Sequence, residues 1–458
     1  MSPQLATDTL LAEDRAHLVH PLQHPADHQH PLVFVKGSGA VLTDSDGGEY
    51  IDGLAGLWNV NVGHGRRALA EAAAAQMETL AFTTGYVGAT NIPAITLAAR
   101  LVARAYPNMR AAYFTTGGAE SNESAFKTAR FFWKIHGQPD KVKILSRVHG
   151  YHGVTMAAAS ATGIAAYHRM FAPLVPNFIQ VPPPYPYRWD EYGGAGGDVG
   201  IEAANAVERT IQREGPETVA AIIAEPVMGA GGVIVPPDSY FPRLRDICDQ
   251  YGVLLIADEI ITGFCRTGRW FALDHWGVQP DLVSFAKGVT SGYLPLGGIL
   301  LSDRVHQAIL DAPADLKYMH AATYSGHPAC CAVALANLDI LEQERLADAA
   351  ASKGARLLGG LREALLEHPN VGEVRGLGLM CGVELVEDKA TRAPTVGLGG
   401  RVFAEARARG LFTRIRGGAR GQYPIGDTIC LAPPLITSDD QLDRIVAILH
   451  DALRAATA

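Results

Sequence analysis

The sequence predicts an α/β protein built around a parallel β-sheet with helices on both faces. In the middle of the chain, short apolar segments alternate with helix-like segments, and each apolar segment is nearly continuous. Strands buried on both faces of a parallel sheet have this pattern, and their alternation with helices is typical of α/β folds. The predicted strands cover residues 111–116, 142–147, 219–226, 253–259, 282–287 and 297–302.

The segments around these strands indicate where helices and loops lie. Helix-like patterns over residues 121–136 and 241–251 are followed by Gly137 and Gly252, and glycine is a common helix terminator. Residues 182–200 are rich in proline, glycine and tyrosine. We therefore predict a long surface loop there.

The two ends of the chain differ from the middle. Residues 32–62 predict short alternating strands with a turn at 46–48. After about residue 332, the pattern predicts long amphipathic helices with short strands at 383–386 and 428–431. We expect a large α/β domain over residues 66–330 and a small α+β domain built from residues 1–65 and 331–458.

Composition and charge exclude several classes of protein. The chain has 458 residues, 48% hydrophobic and 19% charged, which indicates a folded protein of two or three domains. A net charge of −8 gives no reason to expect nucleic-acid binding. The sequence shows neither a membrane-spanning apolar run nor a secretion signal, so we expect a cytoplasmic protein. Six cysteines without a CxxC pair indicate neither a disulfide framework nor a zinc site.

Chemically useful residues follow four of the predicted strands. A Gly-Gly turn at 117–118 follows the first strand and precedes a helix, and Glu225, Asp258 and Lys287 lie at the ends of three others. Ligands bind beyond the carboxyl ends of the strands in an open parallel sheet. We therefore expect these residues to converge at one edge of the sheet.

Each of these residues has a chemical and a structural explanation. The glycine turn could bind a phosphate at a helix N-terminus, or it could be a simple tight turn. Asp258 ends an apolar strand and needs a cation, which could be a protonated pyridine nitrogen or a salt-bridge partner. Lys287 could be solvated, but in an apolar site its pKa would fall and its amine could form a Schiff base with an aldehyde cofactor. The three features together favour the cofactor site.

Several longer motifs carry a family resemblance. They are AGLWNVNVGHG (55–65), TTGGAESNESAFKTAR (115–130), HGYHG (149–153), AEPVMGAGGVIVPP (224–237), LLIADEIITGFCRTG (254–268), FAKGVTSGYLPLGG (285–298), TYSGHP (323–328) and GDTICLAPPL (426–435). From about residue 32 to the C-terminus, the chain resembles the class III (ω-) aminotransferases among the fold-type-I enzymes that use pyridoxal 5′-phosphate (PLP). The resemblance implies a large domain with a mostly parallel, seven-stranded sheet.

The resemblance also implies roles for individual residues. Lys287 would carry the cofactor as an internal aldimine and move the substrate proton, and Asp258 would pair with the pyridinium nitrogen. Thr323 would reach the phosphate of the neighbouring subunit's cofactor, so that a homodimer is obligatory, and tetramers remain open. One departure is visible at 116–120, where many relatives read Asn-Ser-Gly-Ser-Glu and this chain reads TGGAE. The implied cofactor-binding residues are Gly118, Ala119, Tyr151, His152, Glu225, Asp258, Ile260, Lys287 and Thr323.

By the same resemblance, aromatic side chains and one arginine would form the substrate pocket. The pocket residues would be Trp58, Tyr86, Tyr151, Tyr167, Ala230 and Arg414. Arg414 would pair with the carboxylate of a keto acid, although Arg416 lies two residues away and the GGARGQYPI segment that follows looks like an insertion. The aromatic residues could equally belong to the core.

The resemblance implies a transferase working in two half-reactions. An amine or ω-amino acid would give its amino group to the cofactor, leaving pyridoxamine phosphate, and a keto acid such as pyruvate would then accept it. The alternative is an aminomutase of the glutamate-1-semialdehyde type, which returns the amine to the same molecule. A non-enzymatic protein on this scaffold would not need both Lys287 and Asp258.

The N-terminal histidines raise the question of a metal site. Their spacing is irregular, three of them directly precede prolines, and no cysteine or acidic cluster accompanies them in the sequence. We therefore predict no metal site. The glycines at 376 and 378 lack the third glycine of a dinucleotide fingerprint, which makes NAD binding unexpected. The histidines concerned are His17, His20, His24, His28 and His30.

Overall fold

A computed structural model describes residues 7–194 and 196–458. The α-helices are α1 (Thr7–His17), α2 (Ala55–Trp58), α3 (Arg67–Leu80), α4 (Ile92–Arg104), α5 (Gly118–Ile135), α6 (Met156–Ala161), α7 (Val199–Glu214), α8 (Tyr240–Tyr251), α9 (Asp303–Leu310), α10 (Pro328–Gln343), α11 (Leu346–Leu365), α12 (Leu398–Ala408) and α13 (Asp439–Thr457). The strands are β1 (Phe34–Ser38), β2 (Val41–Asp44), β3 (Glu49–Asp52), β4 (Met109–Thr115), β5 (Lys143–Arg147), β6 (Phe178–Val181), β7 (Val219–Ala224), β8 (Leu254–Asp258), β9 (Leu282–Phe285), β10 (Gly297–Ser302), β11 (Val371–Gly376), β12 (Cys381–Asp388), β13 (Ala393–Pro394), β14 (Leu411–Phe412), β15 (Arg414–Arg416) and β16 (Thr428–Leu431).

The large sheet has seven strands and is mostly parallel, as predicted. Its seven strands run in the order β4-β10-β9-β8-β7-β5-β6, and only β10 is antiparallel to its neighbours. All six predicted strands belong to it, and the continuously apolar β7 and β8 are buried along their whole length. The sequence reading missed only β6, a short edge strand with a glutamine at its third position.

A glycine follows each of the two helices, α5 and α8, for which the sequence predicted a glycine terminator. Gly252 follows α8 with φ of 59°, a left-handed conformation in which its N–H reaches back to the carbonyls of Cys248 and Asp249. Gly137, two residues beyond α5, has φ of 72°. These turns return the chain to the next strand of the sheet.

Strands from the two ends of the chain pair with each other. The sheet β1-β2-β3-β14 joins three N-terminal strands to a C-terminal one, with Leu411 opposite Ile51. The predicted turn between β2 and β3 is held by Asp44, whose Oδ1 accepts from the N–H of Asp46 and of Gly48. A further sheet, β11-β12-β16-β15, lies wholly in the C-terminal part. The exact domain boundaries at residues 65 and 331 stay predictions.

The loop predicted over residues 182–200 is only partly a surface loop. Tyr185 and Arg188 are fully buried, because the Arg188 Nε donates to Glu384 Oε1 at 2.6 Å and the Tyr185 hydroxyl also donates to Glu384. A buried carboxylate that pairs with a guanidinium holds this half of the segment against β12. The segment ends at α7, which Asp198 caps.

All six cysteines are buried and free, so none is paired within the described residues. Among the helices of residues 7–194 and 196–458, none has the length and apolar character needed to cross a membrane.

Candidate active site

The turn between β4 and α5 forms one wall of the site. Gly117 is extended and precedes the first helical residue, Gly118, so the free N–H groups and the positive end of an 18-residue helix face the sheet edge. A Cβ on Gly118 would come within 2.9 Å of Ile260 Cδ1. Glu120 fixes the turn by accepting from the backbone N–H of Thr116 at 2.9 Å and from its hydroxyl at 2.7 Å. The backbone of Gly118 thus lies so close to Ile260 that this position favours glycine.

Asp258 lies at the carboxyl end of β8 and is held by three donors. Its Oδ2 accepts from His152 Nδ1 at 2.8 Å and from Asn122 Nδ2 at 2.9 Å, and its Oδ1 accepts from the N–H of Ile260 at 3.2 Å. His152 is its only ion-pair partner among the described residues. A carboxylate offers about four acceptor positions, of which these donors use three, and the side chain lines the cavity while being 3% exposed. One position is therefore free for a cation in the cavity.

Asn122 is a site residue that the sequence reading missed. Its Nδ2 donates both to Asp258 and, at 2.7 Å, to the carbonyl of His152, and it is fully buried on α5. Its spacing of four residues from Gly118 places the two on the same face of the helix. That spacing was the available signal.

Glu225 ends β7 and orders the loop that carries Tyr151. Its Oε1 accepts from the N–H of Tyr151 at 3.0 Å, and its Oε2 accepts from the N–H of Gly229 at 2.9 Å. Burial raises the pKa of Glu225, and the negative charge of Asp258 adds to that rise.

Lys287 lies two residues beyond β9, with a positive φ of 43° that turns its side chain into the cavity wall. Burial lowers the pKa of Lys287 to about 8, while the carboxylates of Asp258 and Glu225 act in the opposite direction. The positive charge of Arg414 lowers it further. A buried lysine with this pKa has a substantial fraction of neutral, nucleophilic amine near neutral pH.

These residues enclose one cavity of about 160 Å³ at the predicted edge of the sheet. Of the residues predicted to bind the cofactor, Thr323 alone does not line it; Thr323 is exposed on the surface. The cavity joins a helix N-terminus, a buried carboxylate with a free acceptor position and a buried lysine. These donors and acceptors fit the phosphate, the ring nitrogen and the aldehyde of PLP. The lining residues are Gly118, Ala119, Tyr151, His152, Gly153, Val154, Glu225, Asp258, Ile260, Ile261 and Lys287.

The predicted pocket aromatics fall into two groups. The rings of Tyr151 and Tyr167 lie 5.4 Å apart beside the cofactor cavity, and Ala230 is buried. Trp58 is 1% exposed and packs in a core cluster with Leu54, Val227 and Ile261, and it does not line the cofactor cavity. Tyr86 is 42% exposed and lines a separate surface cavity. The substrate roles of Trp58 and Tyr86 therefore stay predictions.

The two candidate arginines differ in their surroundings. Arg414 is half-buried and lines a cavity of about 560 Å³ together with Gly56 and Leu57. Arg416 is 6% exposed, and its guanidinium donates to the carbonyl of Gly417 and lies 3.1 Å from His149 Nδ1. Arg416 is thus engaged within the protein, and Arg414 is the arginine placed at a cavity.

The N-terminal histidines have an acidic neighbour that the sequence pattern did not indicate. The prediction of no metal site relied on the lack of such a neighbour, and that premise is wrong. The helix α1 carries Asp14, and its carboxylate lies beside His20 and His28, with one donor atom from each residue within 4.8 Å of the others. A contact between residues six and fourteen positions apart has no local periodic pattern.

A helix N-terminus, a buried Asp and a buried Lys around one cavity at the edge of the sheet fit the cofactor site of a PLP-dependent enzyme of fold type I. The comparisons with known proteins give the family. The model for "Aminotransferase class-III" matches residues 22–453, and the chain belongs to the class III aminotransferases. It is therefore a PLP-dependent aminotransferase.

Relatives and solved structures match along almost the whole chain. The putrescine–pyruvate aminotransferase of Pseudomonas aeruginosa is 37% identical over 93% of this chain and 91% of its own. The taurine–pyruvate aminotransferase of Rhodobacter capsulatus is 38% identical over 98% and 97%. The structure of an (S)-enantioselective ω-transaminase from Thermomicrobium roseum superimposes with a TM-score of 0.93 at 47% identity, over 99% of this chain and 100% of that one.

Proposed function

We propose that this aminotransferase moves an amino group from an amine or ω-amino acid to a keto acid, with pyruvate as acceptor. The observation that carries the proposal is the position of Arg414, which lines a cavity of about 560 Å³ with mainly apolar walls and whose charge also acts on Lys287 in the cofactor site. Relatives named for putrescine, taurine and pyruvate support it, as does the similar ω-transaminase structure. No feature of the chain favours the aminomutase alternative.

The residues around the cofactor divide the chemical work. Bound PLP supplies an aldehyde that takes up the amino group and a ring that accepts electron density. The Asp258 carboxylate would keep a proton on the ring nitrogen, and His152 and Asn122 hold that carboxylate in place. The Lys287 amine would move the proton between the substrate carbon and the cofactor carbon. Tyr151 and Ile260, which line the cavity, would hold the ring.

The substrate side must accept an amine in one half-reaction and a carboxylate in the other. Apolar walls suit the body of the amine and exclude water. Arg414 supplies the carboxylate partner, since a guanidinium binds a carboxylate through two parallel hydrogen bonds. The apolar wall residues are Leu32, Phe34, Leu54, Leu57, Phe403, Phe412 and Ile415.

A homodimer completes this site. The resemblance assigns Tyr86 to the substrate and Thr323 to the cofactor, and both lie on the surface of the single chain, outside its own cofactor cavity. Large apolar side chains are exposed around them, as is typical of a subunit interface; these are Phe82, Val87, Met319 and Tyr324. A second chain would cover this surface, and its active site would then include Tyr86 and Thr323 of the first chain.

The cytoplasmic location stays a prediction.

A donor panel followed by absorbance tests the proposal. The holoenzyme would be mixed with β-alanine, 4-aminobutyrate, putrescine, taurine or a phenylalkylamine in the absence of acceptor, and then with pyruvate. We expect at least one donor to bleach the visible band of the cofactor and pyruvate to restore it, with Lys287→Ala inert. A holoenzyme that binds PLP but cycles with no donor and pyruvate would refute the proposal. Conversion of a single amino aldehyde without acceptor would support the aminomutase instead.

A further inference from the structure

The N-terminal segment brings three metal-ligating side chains together, outside the cofactor cavity. Asp14 lies on α1, and His20 and His28 lie in the segment that follows it. His20 Nε2 is 2.9 Å from both carboxylate oxygens of Asp14, and His28 Nε2 is 3.6 Å from Asp14 Oδ2. The donor atoms of all three residues therefore point at one another.

Hydrogen bonds alone do not satisfy this cluster. His28 Nε2 is buried, and it has no hydrogen-bond partner among the described residues. The two imidazole rings are in contact, with centroids 3.6 Å apart. Neutral imidazole and carboxylate are the forms that bind a metal.

We propose that Asp14, His20 and His28 bind a divalent transition-metal ion, with Zn²⁺ as the best fit. Ligand bonds of about 2.0–2.2 Å in a tetrahedral site place neighbouring ligand atoms about 3.3 Å apart. The separations from Asp14 Oδ2 of 2.9 Å to His20 and 3.6 Å to His28 lie on either side of that value. A single carboxylate with two imidazoles does not suit Ca²⁺ or Mg²⁺, which prefer oxygen ligands.

The site keeps one coordination position open. The side chains of Asp14, His20 and His28 are 19%, 25% and 16% exposed, so water can reach the fourth position. A site with three protein ligands and a water is typical of an accessible zinc ion rather than of a closed structural site. We expect reversible binding of one ion per chain.

A bound ion would tie α1 to the wall of the larger cavity. His28 lines that cavity together with Gln23 and Asp27, and Arg414 and Phe403 line it as well. In the protein alone, Arg15 makes a further link by donating to the carbonyl of Gln29 at 3.1 Å. The metal would close the chain between residues 14 and 28 and fix this wall.

Zinc titration of the holoenzyme, purified without a polyhistidine tag and treated with a chelator, tests the site. Calorimetry should give one Zn²⁺ per chain, and Asp14→Asn, His20→Gln and His28→Gln should each weaken binding at least about tenfold. His17→Gln and His24→Gln are matched controls and should leave the affinity unchanged. His17 faces Glu13 on the outside of α1, and the Nδ1 of His24 accepts from the N–H of Ala26.

A second readout follows the segment itself. Zn²⁺ should slow trypsin cleavage after Arg15 in the wild type but not in the three ligand variants, and circular dichroism confirms that each variant is folded. Co²⁺ should give the intense visible spectrum of a tetrahedral ion only when all three ligands are present. Equal zinc affinity in the wild type and the ligand variants would overturn the proposal. So would an equal loss of affinity in the His17 and His24 controls, since the ion would then bind the histidines non-specifically.

Discussion

The pKa of Lys287 leads to a quantitative prediction about cofactor capture by the apoenzyme. Only the neutral amine attacks the aldehyde of PLP. With a pKa of about 8, roughly a tenth of Lys287 is neutral at pH 7, against roughly 0.04% of an exposed lysine. The structure therefore predicts capture on the order of a few hundredfold faster at pH 7 than an unperturbed lysine would allow. The logarithm of the rate should rise by one for each pH unit and level off near pH 8.

Stopped-flow absorbance of apoenzyme mixed with PLP between pH 6 and 10 measures this profile. A small lysine-like amine studied in parallel measures the contribution of the titration of PLP itself to the pH profile. The Lys287→Ala variant measures the signal that does not come from Lys287. Asp258→Asn deletes a negative charge that raises the pKa of Lys287, so its plateau should begin at a lower pH. A wild-type rate that keeps rising to pH 10 would show that burial does not lower this pKa.

Three further predictions concern binding and stability. In steady-state kinetics, Arg414→Ala should raise KM for pyruvate by about ten- to a hundredfold, because a charge-assisted pair contributes about 1.5–3 kcal/mol. The same variant should leave KM for a carboxylate-free amine unchanged, and Arg416→Ala should instead lower the thermal unfolding midpoint. Gly118→Ala should weaken PLP binding about tenfold or more, since overpacking costs about 1–3 kcal/mol; equilibrium dialysis with unchanged affinity would contradict the tight contact. Glu384→Gln removes a counter-charge from the buried guanidinium groups of Arg188 and Arg375 and should lower the free energy of unfolding by about 3–5 kcal/mol. Calorimetry measures this loss, with Glu387→Gln, which breaks an exposed ion pair, as the control.

The sheet and the edge that carries the cofactor site were predictable because both depend on local patterns. A strand buried on both faces must be apolar along its length, so an Asp or a Lys at its end stands out from the residues before it. Asp258 and Lys287 are visible in this way, and the order of strands then places them together. Asn122 lies inside a helix among other polar residues, where a buried amide resembles an exposed one in sequence.

Contacts between distant parts of the chain were not predictable in the same way. The segment at 182–200 has the composition of a surface loop, yet Arg188 is buried because Glu384, 196 residues later, supplies its counter-charge. The cluster of Asp14 with two histidines likewise depends on how α1 folds back on the following segment. No periodic pattern in the sequence records either pairing.

The site is built from two sources, and this bears on how substrate preference can change. The cofactor cavity is formed by residues between 118 and 287, all on or next to the large sheet. The larger cavity, which Arg414 lines, is formed by both ends of the chain, residues 23–57 and 400–415. Arg414 links the two, because it lines the larger cavity and its positive charge lowers the pKa of Lys287 in the cofactor cavity. Substitutions in the chain ends can therefore alter which amine fits while the geometry of Asp258 and Lys287 is retained, so donor preference should vary between proteins that share the same cofactor chemistry.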